Sequence, residues 1–246
     1  MVSRGASASE AEAPPDTIEE VILRRGSSRR FRRAPITFGQ LCTMMDRATR
    51  GVAADFLGGL PDMESYPHPN LPPEGEGIGF LLPAKEEGLI RPFGAGGTLG
   101  ISLNQLYLIV NEVDGLPSGS YVLHPDLAAL EQLKVGDFRE RAGYLGLEQE
   151  LPAEASVNVY FLTDLAAVLG RYGNRGYRMA QMEASILGGR LYLGAYAHRL
   201  GATGLTFFDD DVTEFFSPHA QGKSVMFLVA LGVPQRRQRP DSRRIL

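Results

Sequence analysis

The sequence predicts an α+β fold, and three features carry that reading. Apolar runs of strand length, "LNQLYLIVNEV", "SVNVYFLTD" and "SVMFLVALGV", are spread over the second half of the chain. One long helical stretch, from about Arg175 to Leu200, falls between the last two. Strands and helices do not alternate in a strict βαβ rhythm, which argues against a doubly wound sheet. With 246 residues the chain can bury one large core.

Residues 1–15 are rich in Ala, Ser, Glu and Pro and are expected to be a disordered tail. Asp16 and Thr17 are good N-cap residues, and Glu19 and Glu20 suit a first helical turn. Ile18, Val21 and Ile22 then share one apolar face of a helix that stops near Gly26. A second helix follows Pro35, with Thr37 as N-cap, a stripe of Leu41, Met44, Met45 and Ala48, and Gly51 as its end. Residues 58–97 are dense in Pro and Gly, which predicts a long surface excursion, either a lid or an insertion without order.

Strand signals come next. "LNQLYLIVNEV" reads as a buried strand, "GLPSGSYVLHP" as a turn and strand, and "ALEQLK" as its hairpin partner. "SVNVYFLTD" is a further strand. The helix of residues 175–200 is apolar on most sides and carries Ala180, Ala184, Gly188, Gly189, Gly194, Ala195 and Ala197. Glycine within a helix costs about 1 kcal/mol relative to alanine, so three of them predict very close packing of a buried helix. "TGLTFF" reads as a short strand, Asp211 with Glu214 as a capping box, and "SVMFLVALGV" as the last buried strand. A basic tail, residues 235–246, closes the chain, so that residues 16–234 form the expected domain.

Composition excludes several classes. The net charge is −4, so the arginines around residue 25 are a local feature of an acidic protein, unlike the basic stripe of nucleic-acid binders. The single cysteine, Cys42, rules out an internal disulfide framework. No apolar run is long enough to cross a bilayer, and "MVSRGASASEAEAPPD" lacks the apolar core of a signal peptide. A soluble cytoplasmic protein without membrane or nucleic-acid partners is expected.

Motif by motif, most chemistry is absent. "QGKS" (Gln221–Ser224) lacks the upstream glycine of a phosphate loop and leads into a strand. "GAGGTLG" (Gly94–Gly100) is not preceded by a strand and lacks the third glycine of a dinucleotide fingerprint, but a bare backbone there lets a ligand come close. His68, His124, His198 and His219 show no metal-ligand spacing, so no metal is expected. There is no G-x-S-x-G elbow. "FFDDD" reads as a helix start in preference to a cation site. Arg25, Ser27 and Arg29 allow two readings. They can offset the dipole at a helix C-terminus, or clamp a phosphate with guanidinium forks and a hydroxyl.

A combination of stretches carries a resemblance. "ILRRGSSRRF" resembles the R-R-S-x-R-x-F opening of the FMN-dependent nitroreductase superfamily. "YGNRGYRMAQMEASILGGRLYLGAYAHRLGATGLTFFDDD" (Tyr172–Asp211) is similar to the central helix and G-F-D-D strand of its SagB-type dehydrogenase branch. "GAGGTLGISLNQLYLIV" and "FLVALGVP" resemble the segments around its first and last core strands. The resemblance covers residues 18–234. It implies a nitroreductase-like α+β sandwich with a mixed, mostly antiparallel sheet, a long buried central helix and an intertwined homodimer with FMN at the interface.

Carried over by position, Arg25, Ser27 and Arg29 would hold the FMN phosphate and ribityl chain. Ala95, Gly96 and Gly97 would approach the flavin from the other subunit. Leu205, Thr206 and Phe207 would line the isoalloxazine, with the Phe207 N–H near N5, and Arg236 or Arg237 would complete the phosphate site. Azoline-oxidising relatives carry a Lys-Tyr pair where this chain has Arg171-Tyr172. Arginine is a poor base, so Arg171 is expected to bind, and Tyr172 either to move a proton or to pack. The implied activity is oxidation of a heterocycle or amide-like unit in a peptide natural product, with other biosynthetic enzymes as partners. A NAD(P)H-dependent nitro- or quinone reductase, or a scaffold subunit without flavin, are the alternatives.

Overall fold

Two capping boxes start the first helices. The computed structural model describes residues 16–50, 52, 89–90, 102–125 and 129–235. In helix α1 (Ile18–Arg24) the Thr17 hydroxyl accepts from the Glu20 N–H, and the Glu20 carboxylate accepts from the Thr17 N–H at 2.8 Å. In α2 (Phe38–Thr49) Thr37 and Gln40 make the same exchange. Each box satisfies two N–H groups that the helix cannot. Helix α2 buries Leu41, Cys42, Met44, Met45 and Ala48, the stripe read from sequence with Cys42 added. Helix α1 buries only Val21 and leaves Ile18, Ile22 and Leu23 exposed.

The strands are β1 (Phe31–Arg32), β2 (Ile36–Thr37), β3 (Leu89–Ile90), β4 (Gln105–Val110), β5 (Val113–Asp114), β6 (Gly119–His124), β7 (Ala129–Val135), β8 (Val157–Thr163), β9 (Gly201–Gly204) and β10 (Ser224–Pro234). The main sheet runs β1-β10-β8-β4-β6-β7-β3, with β9 also on β10. Its pairings are antiparallel; the separate β2–β5 pair is parallel.

Both faces of this sheet are covered, which is why its central strands read as unbroken apolar runs. Leu106, Leu108, Val110, Val157, Val159 and Phe161 point to the layer of α2 and α6 (Asn174–Ala197). Tyr107, Ile109, Tyr160 and Leu162 point to the layer of α3 (Arg139–Leu145) and α7 (Asp209–Phe216). Each fully buried Leu or Val contributes about 1.5–3 kcal/mol. Two further helices, α4 (Glu150–Glu154) and α5 (Leu165–Tyr172), with α3, occupy stretches in which the sequence reading named no helix.

Helix α6 meets its sheet at glycine. A Cβ on Gly188 would lie 2.6 Å from the Phe227 ring, and one on Gly194 would lie 3.2 Å from Met44. Gly189 differs: among the described residues nothing lies within 4 Å of its missing Cβ. With Tyr177, Met182 and Ser185 it marks an exposed face of the helix.

Two local expectations need correction. Of "TGLTFF" (Thr203–Phe208) only Thr203 and Gly204 are strand, the end of β9. Helix α7 starts at Asp209 after Phe208 without a side-chain cap, so Asp211 with Glu214 is not a capping box. The three aspartates all fall in the first turn, where the macrodipole already favours negative charge. Residues 1–15, 236–246 and most of 58–97 lie outside the described residues. No helix of the described residues is long and apolar enough to cross a membrane.

Candidate functional site

The arginine segment lies across β9, and glycine is the reason it can. A Cβ on Gly201 would sit 2.2 Å from Ser28 Oγ and 3.2 Å from Phe31 and Pro234. Without it, the Ser28 N–H donates to the Ala202 carbonyl at 2.9 Å, and Phe31 pairs with Pro234. Ser28 is buried and its hydroxyl has no partner.

Tyr192 on α6 joins this segment to the next. Its hydroxyl lies 3.4 Å from Ser27 Oγ and accepts from the Gly204 N–H. Gly204 leads into Leu205, Thr206 and Phe207. The Leu205 N–H is spent on the Leu228 carbonyl, while Thr206 and Phe207 donate no backbone hydrogen bond among the described residues. The structure thus brings Ser27 and residues 205–207 to one end of α6.

The arginines divide by partner. Arg24 is committed, with Asp16 at 2.7 Å and the Tyr196 carbonyl at 2.7 Å, and it holds the Asp16 carboxyl below the usual carboxylate range. Arg25 and Arg29 are exposed and make no ion pair among the described residues. Gly26 between them leaves space, since a Cβ there would meet nothing closer than Tyr196 at 3.9 Å. Two uncommitted guanidiniums, a bare backbone and a buried orphan hydroxyl fit an anion such as a phosphate.

Arg171 and Tyr172 are not part of this end. They close α5, where the Arg171 guanidinium stacks over the Tyr172 ring at 5.2 Å, and Gly173 with φ of 58° turns the chain into α6. Asn174, which opens α6, and Tyr192 are 18 positions apart, about 27 Å along the helix axis. Tyr172, at the α5–α6 junction, therefore stands at the end of α6 away from Ser27. Ala95, Gly96, Gly97, Arg236 and Arg237 lie outside the described residues.

The glycine segment's downstream neighbour is anchored. Glu183 on α6, buried among apolar residues, accepts from the Leu103 N–H at 2.8 Å and the Asn104 N–H at 2.9 Å. Burial pushes its carboxyl up, and those hydrogen bonds oppose the shift. A glutamate inside a helical repeat gave no sign of this in the sequence.

A second constellation, on the opposite face of the sheet, also escaped the sequence reading. His124 ends β6, Glu131 lies in β7 and His219 follows α7, and one ligand atom from each falls within 4.8 Å of the others. The Tyr107 hydroxyl meets His219 Nδ1 at 2.8 Å and accepts from Lys223 Nζ at 2.8 Å. Burial and the Lys223 charge hold His219 below the ordinary histidine value.

Neither the protein-family models nor the curated proteins match this sequence. Solved structures do. A protein of Anabaena variabilis described as a nitroreductase superposes with a TM-score of 0.66 at 23% identity, over 92% of this chain and 41% of that one. The Escherichia coli microcin synthetase McbBCD complex, with truncated pro-MccB17 bound, gives 0.60 at 15% over 87% and 70%. A Staphylococcus epidermidis protein described as a NAD(P)H:FMN oxidoreductase gives 0.55 at 9% over 95% and 94%. The chain spans about two-fifths of the length of the Anabaena protein. The shared fold is the nitroreductase-like α+β sandwich that the resemblance implied.

Proposed function

We propose that this chain is an FMN-dependent oxidoreductase that works as a homodimer. The observation that carries the reading is the link Ser27–Tyr192–Gly204, which sets two uncommitted arginines beside two unspent backbone N–H groups. Arg25 and Arg29 would bind the phosphate, with Ser27 adding a hydroxyl, and FMN bound there would supply a ring that accepts or donates a hydride. Thr206 and Phe207 would offer their N–H groups to that ring. The exposed Ile18, Ile22, Leu23, Tyr177 and Met182, with bare Gly189, favour a second copy packed on α1 and α6. A second copy would also offer Tyr172 a route to the same ligand, as the resemblance assigns residues 95–97 to the partner.

The substrate is proposed to be a heterocycle or amide-like unit of a peptide, with other biosynthetic enzymes as partners. Structural likeness to McbBCD, solved with truncated pro-MccB17, supports this. Arg171 would hold a carbonyl or anionic oxygen, and a proton would pass through Tyr172 or water. Likeness to a protein described as a NAD(P)H:FMN oxidoreductase supports the second reading, a pyridine-nucleotide-driven reductase. Purified protein should be yellow and release FMN on denaturation. Rapid bleaching of that flavin by NAD(P)H would select the reductase; bleaching only by a peptide substrate would select the dehydrogenase. Colourless protein that takes up no FMN would end both.

A further inference from the structure

The geometry points to a metal site: His124, Glu131 and His219 together form a three-ligand centre for a divalent transition-metal ion of the zinc class. The strand register builds two of the ligands. Val122 pairs with Glu131 and His124 with Ala129, so His124 and Glu131, reached through alternation by two, project from the same sheet face. Tyr107 pairs with Val122 from β4 and stands on that face as well. The turn after α7 lays His219 over it, with the two imidazole rings 6.2 Å apart and nearly perpendicular.

The donor atoms are set out for one ion. His124 Nε2 and Glu131 Oε2 are already 2.7 Å apart. Since Tyr107 engages His219 at Nδ1, Nε2 is left as the ligating atom. Ligands at about 2.0–2.2 Å from a tetrahedral zinc lie roughly 3.3 Å from one another, so small side-chain rotations suffice. His124 and Glu131 side chains are 23% and 40% exposed, which permits that motion and leaves water to fill the fourth position.

The outer groups complete the design. A metal-bound imidazole is normally oriented by a hydrogen bond at its other nitrogen. Here the Tyr107 oxygen lies 2.8 Å from His219 Nδ1, accepts from Lys223 and donates to Gln105 Oε1 at 3.1 Å, so with metal on Nε2 the Nδ1–H would donate to it. Tyr107 is fully buried, so this chain is not a surface accident. Two imidazoles and one carboxylate favour zinc, nickel or cobalt over magnesium or calcium, which prefer all-oxygen shells. The site is on the α7 side of the sheet, away from Ser27 and Tyr192, and the inference does not depend on flavin binding.

The test is calorimetric titration of the chelator-stripped full chain with zinc at neutral pH, with and without bound flavin. One ion per chain should bind, with the His124–Glu131 hydrogen bond displaced as both side chains turn to the metal. Magnesium should give no heat. Tyr107→Phe should weaken zinc binding about 10–100-fold, the range for loss of an outer-shell partner. The double variant His124→Ala, Glu131→Gln should weaken it further still. Both altered side chains are partly exposed, so far-UV circular dichroism should report an intact fold. Should the variants fail to fold, the wild-type histidine ring resonances decide instead: zinc must shift those of His124 and His219. No uptake, equal uptake by the double variant, or unmoved resonances would overturn the site.

Discussion

Glu183 holds Asn104 by two hydrogen bonds to one oxygen: Oε2 accepts from the Asn104 N–H at 2.9 Å and from Nδ2 at 2.7 Å. Asn104 in turn donates from Nδ2 to the Ala180 carbonyl and accepts from the Thr163 hydroxyl. This network pins the start of β4 to α6.

Glu183→Ala would remove the acceptor of three N–H bonds: the Leu103 N–H and one Asn104 Nδ2 hydrogen would lose their partner, while the Asn104 N–H would keep only the Ser102 hydroxyl at 3.3 Å. Each such group costs about 1–3 kcal/mol, so chemical denaturation should show a loss of several kcal/mol. Glu183→Gln keeps an acceptor at the same place. Because burial raises the Glu183 pKa above its ordinary value of 4.5, the folded state favours the neutral form. Stability from this group is therefore complete below pH 4.5 and falls as pH rises through the folded-state value. The Gln variant should lack that decline and be at least as stable as wild type at pH 7. Equal pH profiles for the two proteins would contradict the assignment.

If Arg25 and Arg29 bind the FMN phosphate, Arg25→Ala with Arg29→Ala removes two charge-assisted contacts of about 1.5–3 kcal/mol each. FMN affinity should drop by roughly two to four decades, measured by flavin fluorescence, with the fold retained. Arg24→Ala is the contrast. It breaks the ties to Asp16 and Tyr196, so it should lower stability modestly, while its direct effect on the FMN phosphate should be small.

Gly188 and Gly189 are neighbours with opposite expected effects. Gly188→Ala drives a methyl against Phe227 and should destabilise the chain by about 1–3 kcal/mol. Gly189→Leu has open space at its Cβ among the described residues, so it should leave protomer folding intact and weaken self-association. Sedimentation velocity at micromolar concentration separates the two. Wild-type protein that stays monomeric would remove the dimer.

Tyr172→Phe deletes one hydroxyl at the α5–α6 junction. If Tyr172 moves a proton, stopped-flow flavin reduction by substrate should slow by roughly 100-fold or more while FMN is retained. An unchanged rate assigns Tyr172 to packing against Arg171.

The sequence by itself determined what depends on near neighbours. The N-caps at Thr17 and Thr37 are readable because a cap acts within its own first turn, whereas the capping box read at Asp211 and Glu214 did not form. The strands β4, β8 and β10 are readable because burial on both faces makes them apolar throughout, and α6 because it is long and rich in small residues. The α+β class followed from those strands and that helix, and the nitroreductase-like fold from the resemblance carried by "ILRRGSSRRF" and Tyr172–Asp211. The short helices α3, α4 and α5 gave weaker signals, since one or two turns show little periodicity and tertiary packing stabilises them.

Tertiary structure decided the rest. It split the adjacent arginines into committed Arg24 and uncommitted Arg25 and Arg29, because only the fold brings Asp16 and the Tyr196 carbonyl to Arg24. It put Tyr172 at the α5–α6 junction, where α6 begins, and Ser27 against Tyr192 near the other end of α6, a separation that positions in the chain do not convey. It gathered His124, Glu131 and His219 over Tyr107, which is 112 positions from His219. Such contacts are set by strand order and register, and those follow from how the whole apolar pattern packs, so no local spacing of residues could announce them.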